Sequence, residues 1–211
     1  MKKRIKCAVL LLALLLSACG GPDLPEDDGQ EAPEAADMPA GEEEPPAEPE
    51  VTAEEMLART VREQYRAILD QADTYEYSQV EPSGVYRYAL VPMQARHCVP
   101  ALFVEQQSVM GIGYIRVFQY DPENETVYQP TEVLMQGVGD AGGFRGSLSG
   151  AGDRNGVLVT SFFSGTGEGA TQRITVERDA LATVTLWEGN IFADTDWTTE
   201  AIGLTEIQWY G

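Results

Sequence analysis

Lysine is absent from this sequence after Lys6; apart from His97, every basic side chain beyond that point is an arginine. The formal net charge is -20, and losing Lys2, Lys3, Arg4 and Lys6 with a processed leader takes it to -24. So acidic a surface repels phosphate backbones and anionic headgroups, which argues against nucleic acid as a partner. Histidine occurs once, so neither an HExxH zinc helix nor a multi-histidine centre can be built. There is no G-x-S-x-G elbow. Cysteine is limited to Cys7, Cys19 and Cys98. If the first leaves with the leader and the second is acylated, Cys98 has no internal disulfide partner and reads as a small buried apolar residue. The one long apolar run, Ala8 to Leu16, is too short to span a bilayer stably.

That run belongs to the most specific segment present, MKKRIKCAVLLLALLLSACG, in which a basic head precedes an apolar core and a small-residue site ending in cysteine. Leu16-Ser17-Ala18-Cys19 resembles the lipobox of bacterial prolipoproteins. The resemblance covers the first twenty residues. It implies a signal peptide over residues 1–18, cleavage before Cys19, and lipid attachment at Cys19 through a diacylglyceryl thioether. Each buried methylene contributes about 0.8 kcal/mol and two chains anchor where one does not, so the implied location is the extracytoplasmic side of a cell membrane. The membrane is then a partner through the lipid alone.

Residues 19–50 follow as a linker. From Gly20 to Glu50 the chain is almost entirely Glu, Asp, Pro, Ala and Gly, without a basic residue. It lacks the apolar side chains a core needs. Its prolines favour polyproline II segments and its like charges repel, so the tether reads as extended, with a contour of roughly 90 Å at about 3.1 Å per residue.

Residues 51–211 are long enough for one domain. Thr52 and Glu55 form a capping box, and Met56, Leu57, Val61, Tyr65, Ile68 and Leu69 recur at helical spacing, predicting an amphipathic helix of about five turns ending near Asp73. The period then changes to two. Strands are expected over 85–91, 99–106, 112–121, 126–136, 157–164, 171–178, 181–188 and 204–210. Turn residues at Asp121-Pro122-Glu123-Asn124 and Arg178-Asp179 join neighbours tightly, which favours antiparallel hairpins. The expected class is mainly β (α+β): one N-terminal amphipathic helix packed on a curved antiparallel sheet or incomplete barrel of about seven to eight strands.

Candidate chemistry is sparse. Gly137-Val138-Gly139-Asp140-Ala141-Gly142 spells GxGxxG, but more glycine and serine follow where a helix is needed, so residues 137–156 and 165–169 read as flexible loops. Asp121, Glu123, Glu125 and Glu132 have calcium-loop spacing, yet Thr126 occupies the glycine position, and a charged hairpin is the better account. Asp194, Asp196 and Glu200 form an acidic patch beside Trp197, read as a solvated loop. Asn124-Glu125-Thr126 spells a glycosylation sequon with little meaning in a bacterium. His97 and Cys98 are neighbours on an extended segment, so they point to opposite faces and cannot readily form a dyad. Tyr88 to Val91 with Val99 to Val104 is similar to the strand-loop-strand frame of FG-GAP-type calcium-loop modules, but the intervening loop carries no carboxylate, so no metal ligand is assigned. No cofactor, metal or catalytic residue is called for.

The expected function is a lipid-anchored binding or interaction module of the cell envelope, with Tyr86, Tyr88, Tyr114, Phe118, Trp197 and Trp209 as candidate exposed aromatics; about two thirds of these are expected to fill the core. The alternatives are a carboxylate-dependent hydrolase of wall or extracellular polymer, which needs two carboxyl groups about 5 to 9.5 Å apart, and a structural role in envelope assembly. The anchor is tested by fractionation. The native chain should sediment with membranes in detergent-free extracts and Cys19→Ala should release it; a variant that stays membrane-bound contradicts the lipid anchor.

Overall fold

The structure, a computed structural model, describes residues 52–94, 99–139, 143–193 and 202–211. The leader, Cys19, the linker, His97, Cys98, Asp140, Asp194, Asp196, Trp197 and Glu200 lie outside the described residues. Thr52 caps helix α1 (Ala53–Leu69) as its sequence predicts: its Oγ1 accepts from the Glu55 N–H while the Glu55 carboxylate accepts from the Thr52 N–H. The two hydrogen bonds from Thr52 hold the Glu55 carboxyl below its usual range. The helix stops one turn earlier than its periodicity suggests. The Gln71 N–H bonds to the Ile68 carbonyl three residues back, and a short 3-10 turn over Ala72–Thr74 follows. No helix among the described residues is long and apolar enough to cross a membrane.

The remainder is antiparallel sheet. Its strands are β1 (Pro82–Val91), β2 (Ala101–Ser108), β3 (Ile112–Asp121), β4 (Thr126–Tyr128), β5 (Leu134–Val138), β6 (Phe144–Ala151), β7 (Val157–Phe163), β8 (Glu168–Glu177), β9 (Ala180–Asn190) and β10 (Leu204–Thr205). The order is β1-β2-β3-β5-β6-β7-β8-β9, an open sheet, with β4 on β3 and β10 on β6. Mostly antiparallel sheet with one α-helix is therefore the architecture.

Four segments differ from their sequence reading, the briefest being the supposed loop 165–169, whose Glu168 and Gly169 belong to β8. The single strand expected over 126–136 is split: β4 pairs with Gln119–Asp121 and β5 with Ile112–Ile115, and Pro130, which has no N–H for a ladder, lies between them. The supposed loop 137–156 contains β6, a strand whose glycines and serines mask its pattern. Their small size has a use at Gly150, where a Cβ would fall 2.4 Å from Thr205 Oγ1 as β10 pairs alongside. The strand expected over 204–210 is reduced to β10 and a separate bridge between Tyr210 and Tyr88, in which each N–H donates to the other carbonyl.

Side-chain alternation sorts the sheet into two cores. One gathers Ala89, Val91, Phe103, Ile115, Val117, Leu148, Val157, Ile174 and Val176. The other gathers Leu102, Val104, Tyr114, Phe118 and Tyr120 with Tyr65, Ile68 and Tyr77. β2 and β3 contribute to both, which is why they are buried almost continuously and read as apolar runs. Arg116 points to the second face, where Nη1 donates to the Glu76 carbonyl and Nη2 to the Pro130 carbonyl. Tyr65 donates its hydroxyl to the Pro100 carbonyl at 2.7 Å and accepts from the Tyr120 N–H at 3.1 Å.

Burial pushes the Tyr65 hydroxyl up from 10.0 to about 12, with the Tyr120 N–H working against it. The unfolded chain loses this proton first, so the stability held by the neutral phenol is complete below pH 10 and lost as pH rises toward 12. That loss is on the order of 2–3 kcal/mol. Urea denaturation across this window should show a shallower decline in Tyr65→Phe than in the wild type; equal declines would contradict it.

Candidate functional site

At β1 and β2 the face that carries the first core turns polar toward one end. Arg87 follows the parity of Ala89 and Val91, and Glu105 that of Ala101 and Phe103, so each charge occupies the position where the pattern predicts an apolar side chain. The two are register partners. Arg87 Nε donates to Glu105 Oε2 at 2.8 Å and Nη2 lies 2.5 Å from the same oxygen. Glu105 is 1% exposed. Its other oxygen, Oε1, accepts from the Gln136 amide at 3.2 Å. The Gln107 carboxamide, turned so that its oxygen faces the guanidinium, accepts from Arg87 Nε and Nη2 at 3.2 Å each.

Room for the carboxylate comes from β3. A Cβ on Gly113 would lie 1.7 Å from Glu105 Oε1, so any side chain there would evict it. Over the guanidinium sits the Trp209 ring, 5.3 Å from Arg87 Cζ to centroid. Arg87, Glu105, Gln107, Gln136, Ser147 and Trp209 line a cavity of about 430 Å3 with Leu148 and four glycines. The charges cancel. Among the described residues, the Ser147 hydroxyl and the Trp209 indole N–H make no hydrogen bond, while Gln136 spends its amide nitrogen on Glu105 and keeps its carbonyl oxygen. A neutral cavity with unspent donors and acceptors beside an aromatic face suits a polar uncharged ligand.

Two other cavities lack this arrangement. A groove of about 500 Å3 is lined by Leu57, Val61, Leu69, Leu90, Val99 and Leu102, with Glu54, Arg62 and Arg66 as its charged groups. It has the volume of a ligand site, but its charged groups are exposed side chains of α1, and the buried Tyr65 hydroxyl in its wall is already spent on the Pro100 carbonyl and the Tyr120 N–H. A cavity of about 240 Å3 adjoins Asp121, Glu123, Asn124 and Arg178. There Asp121 Oδ1 accepts from the Glu123 and Asn124 N–H groups and Oδ2 from the Asn124 amide, hydrogen bonds that hold its carboxyl below the usual range. Asp121 is thus spent on closing the β3–β4 turn, and no group of three or more metal-binding side chains occurs among the described residues.

The structure distributes the sequence candidates widely. Gly137 and Gly139 flank the end of β5, and the next described element is strand β6, so the GxGxxG pattern opens no helix. Tyr114 and Phe118 are buried, Tyr86 and Tyr88 are half-buried against the second core, and Trp209 reaches the cavity. The polar cavity carries a single carboxylate, already paired, where a carboxylate-based hydrolase needs two. Sequence reasoning missed Arg87, Glu105, Gln107 and Gln136. The available signal was a charge at an apolar-parity position in each of two adjacent strands. No family model, curated protein or solved structure matches this chain.

Removing one member of a buried ion pair strands the other charge, at a cost of about 3–5 kcal/mol, whereas replacing both with apolar groups is close to neutral. Arg87 is partly open to solvent, its side chain 35% exposed, which places Arg87→Met toward the lower end, about 3 kcal/mol. Arg87→Met/Glu105→Leu should recover most of that loss in urea denaturation. A single variant as stable as the double would show that the pair does not organise this end of the sheet.

Proposed function

We propose that this protein is a lipid-anchored lipoprotein on the extracytoplasmic side of a cell membrane, held by acyl chains at Cys19, and that it binds a neutral hydroxyl-rich ligand such as a saccharide in the Arg87–Glu105–Trp209 cavity. The carrying observation is a buried carboxylate paired with a guanidinium that lies against the Trp209 ring, in a cavity whose charges cancel while Ser147, Gln136 and Trp209 retain unspent hydrogen-bonding groups. Hydroxyl groups both donate and accept, and the apolar face of a sugar ring stacks on an indole, so this ligand class can satisfy every group on offer. An ion would meet no net countercharge. The leader and its cysteine support the location, and the acidic, proline-rich residues 20–50 suit a spacer holding the binding domain away from the bilayer.

The finer architecture belongs to the same reading. Helix α1 is a layer over the face opposite the cavity, supported by the Tyr65 hydroxyl bonds to Pro100 and Tyr120. The sheet is an incomplete barrel, supported by the C-terminal segment pairing with β6 at one end and with Tyr88 of β1 at the other.

Calorimetric titration with N-acetylglucosamine oligomers and maltooligosaccharides as neutral probes, and oligogalacturonate as the anionic one, tests the reading. Neutral probes should bind, and Gln136→Leu or Trp209→Ala should weaken them by about tenfold or more, 1.4 kcal/mol per decade. No neutral binding, or binding indifferent to both variants, overturns it.

A further inference from the structure

The two edges of the sheet are finished differently. On β1 the segment around Tyr210 bridges the edge at one point: Tyr88 and Tyr210 exchange backbone hydrogen bonds of 2.7 and 2.8 Å, and their rings stack with centroids 5.4 Å apart. At the opposite edge β9, eleven residues long, pairs with β8 on one side and with nothing among the described residues on the other. Its middle, Thr183 to Leu186, is exposed on both faces, Val184 at 58% and Leu186 at 39%. Natural edges of this length are normally guarded by lysine, proline or an inward charge. Between Ala180 and Trp187 there is none of these, and the single irregularity is a bulge against β8 at Thr171/Gln172, opposite Leu186.

We propose that the outer edge of β9 is an interaction surface for a second copy of this chain, which adds its own β9 in antiparallel orientation to make one continuous sheet across a two-fold axis. A second copy fits this edge because the strand is complementary to itself. A two-fold axis through the Thr183-Val184-Thr185 segment sets that segment against itself and pairs β-branched residues, which suit cross-strand contact. No charge meets a like charge along the uncharged window. At its end Glu188 comes beside the Arg178–Asp179 turn of the copy, whose charges cancel. Elsewhere a chain with a formal net charge of -20 repels another of its kind, so this uncharged stretch is where the electrostatic cost of approach is lowest. Backbone hydrogen bonds between the two edges supply the affinity, as in other strand additions.

Cysteine cross-linking of the full chain in its native membranes tests the proposal. Single cysteines replace Thr183, Val184 or Thr185, with Val138→Cys as an equally exposed control on β5, where Val138 is 59% exposed. Under mild oxidation at least one of the three β9 variants should shift to the mass of a covalent dimer while Val138→Cys and the wild type stay monomeric. Adding Thr185→Pro in a chain cross-linking through Thr183→Cys or Val184→Cys should abolish that shift, and exposed Val184→Lys should do so without touching either core. Failure of all three β9 variants to dimerise, equal dimerisation of Val138→Cys, or cross-linking of β9 to a different protein without a dimer overturns it.

Discussion

The cost of holding the Glu105 carboxylate out of water organises this end of the molecule. An ionised carboxyl group at 1% exposure survives where its charge is matched and its oxygens are bonded. Arg87 supplies the charge from the neighbouring strand, Gln136 bonds the second oxygen from β5, and Gly113 vacates the space the group occupies. Gln107 and Trp209 then fix the guanidinium from two sides. Five separate stretches of chain are committed to one charge. An apolar pair would have filled the site with less demand on its neighbours, which is why the cavity, and not the larger apolar groove, is the site we propose for a ligand.

Double burial of β2 and β3 sets the stage for this arrangement. Because both faces of these strands are covered, the side chains of one face have fixed neighbours on β1 and β5, and a polar group placed there meets defined partners instead of solvent. The outer strands are freer. β9 is exposed over much of its length, and among the described residues nothing pairs with its outer edge, whereas β1 is bridged at Tyr88 by Tyr210.

Much of the architecture was legible from periodicity, and its failures share a cause. The capping box at Thr52 and Glu55, the strand expected over 171–178, and the hairpin at Arg178-Asp179 are local; the first formed at the start of α1 and the other two within β8 and its neighbour β9. β6 was invisible because Gly146, Ser147, Ser149 and Gly150 carry no strand pattern; their small size matters through the neighbours β5, β7 and β10, which sequence does not display. The split at Pro130 was foreseeable from its missing N–H. The cavity was illegible for a related reason: Arg87 and Glu105 are ordinary surface residue types, and their meaning depends on a register that pairs them and on a glycine that makes room.

Solution NMR of the side chains around Glu105 during titration with an N-acetylglucosamine oligomer measures the central claim most directly. The account predicts saturable shifts concentrated at the Trp209 indole N–H and the Gln107 and Gln136 carboxamides, with the amides of the exposed β9 edge unmoved. Shifts confined to other surfaces, or none at these three side chains at saturating probe, would contradict it.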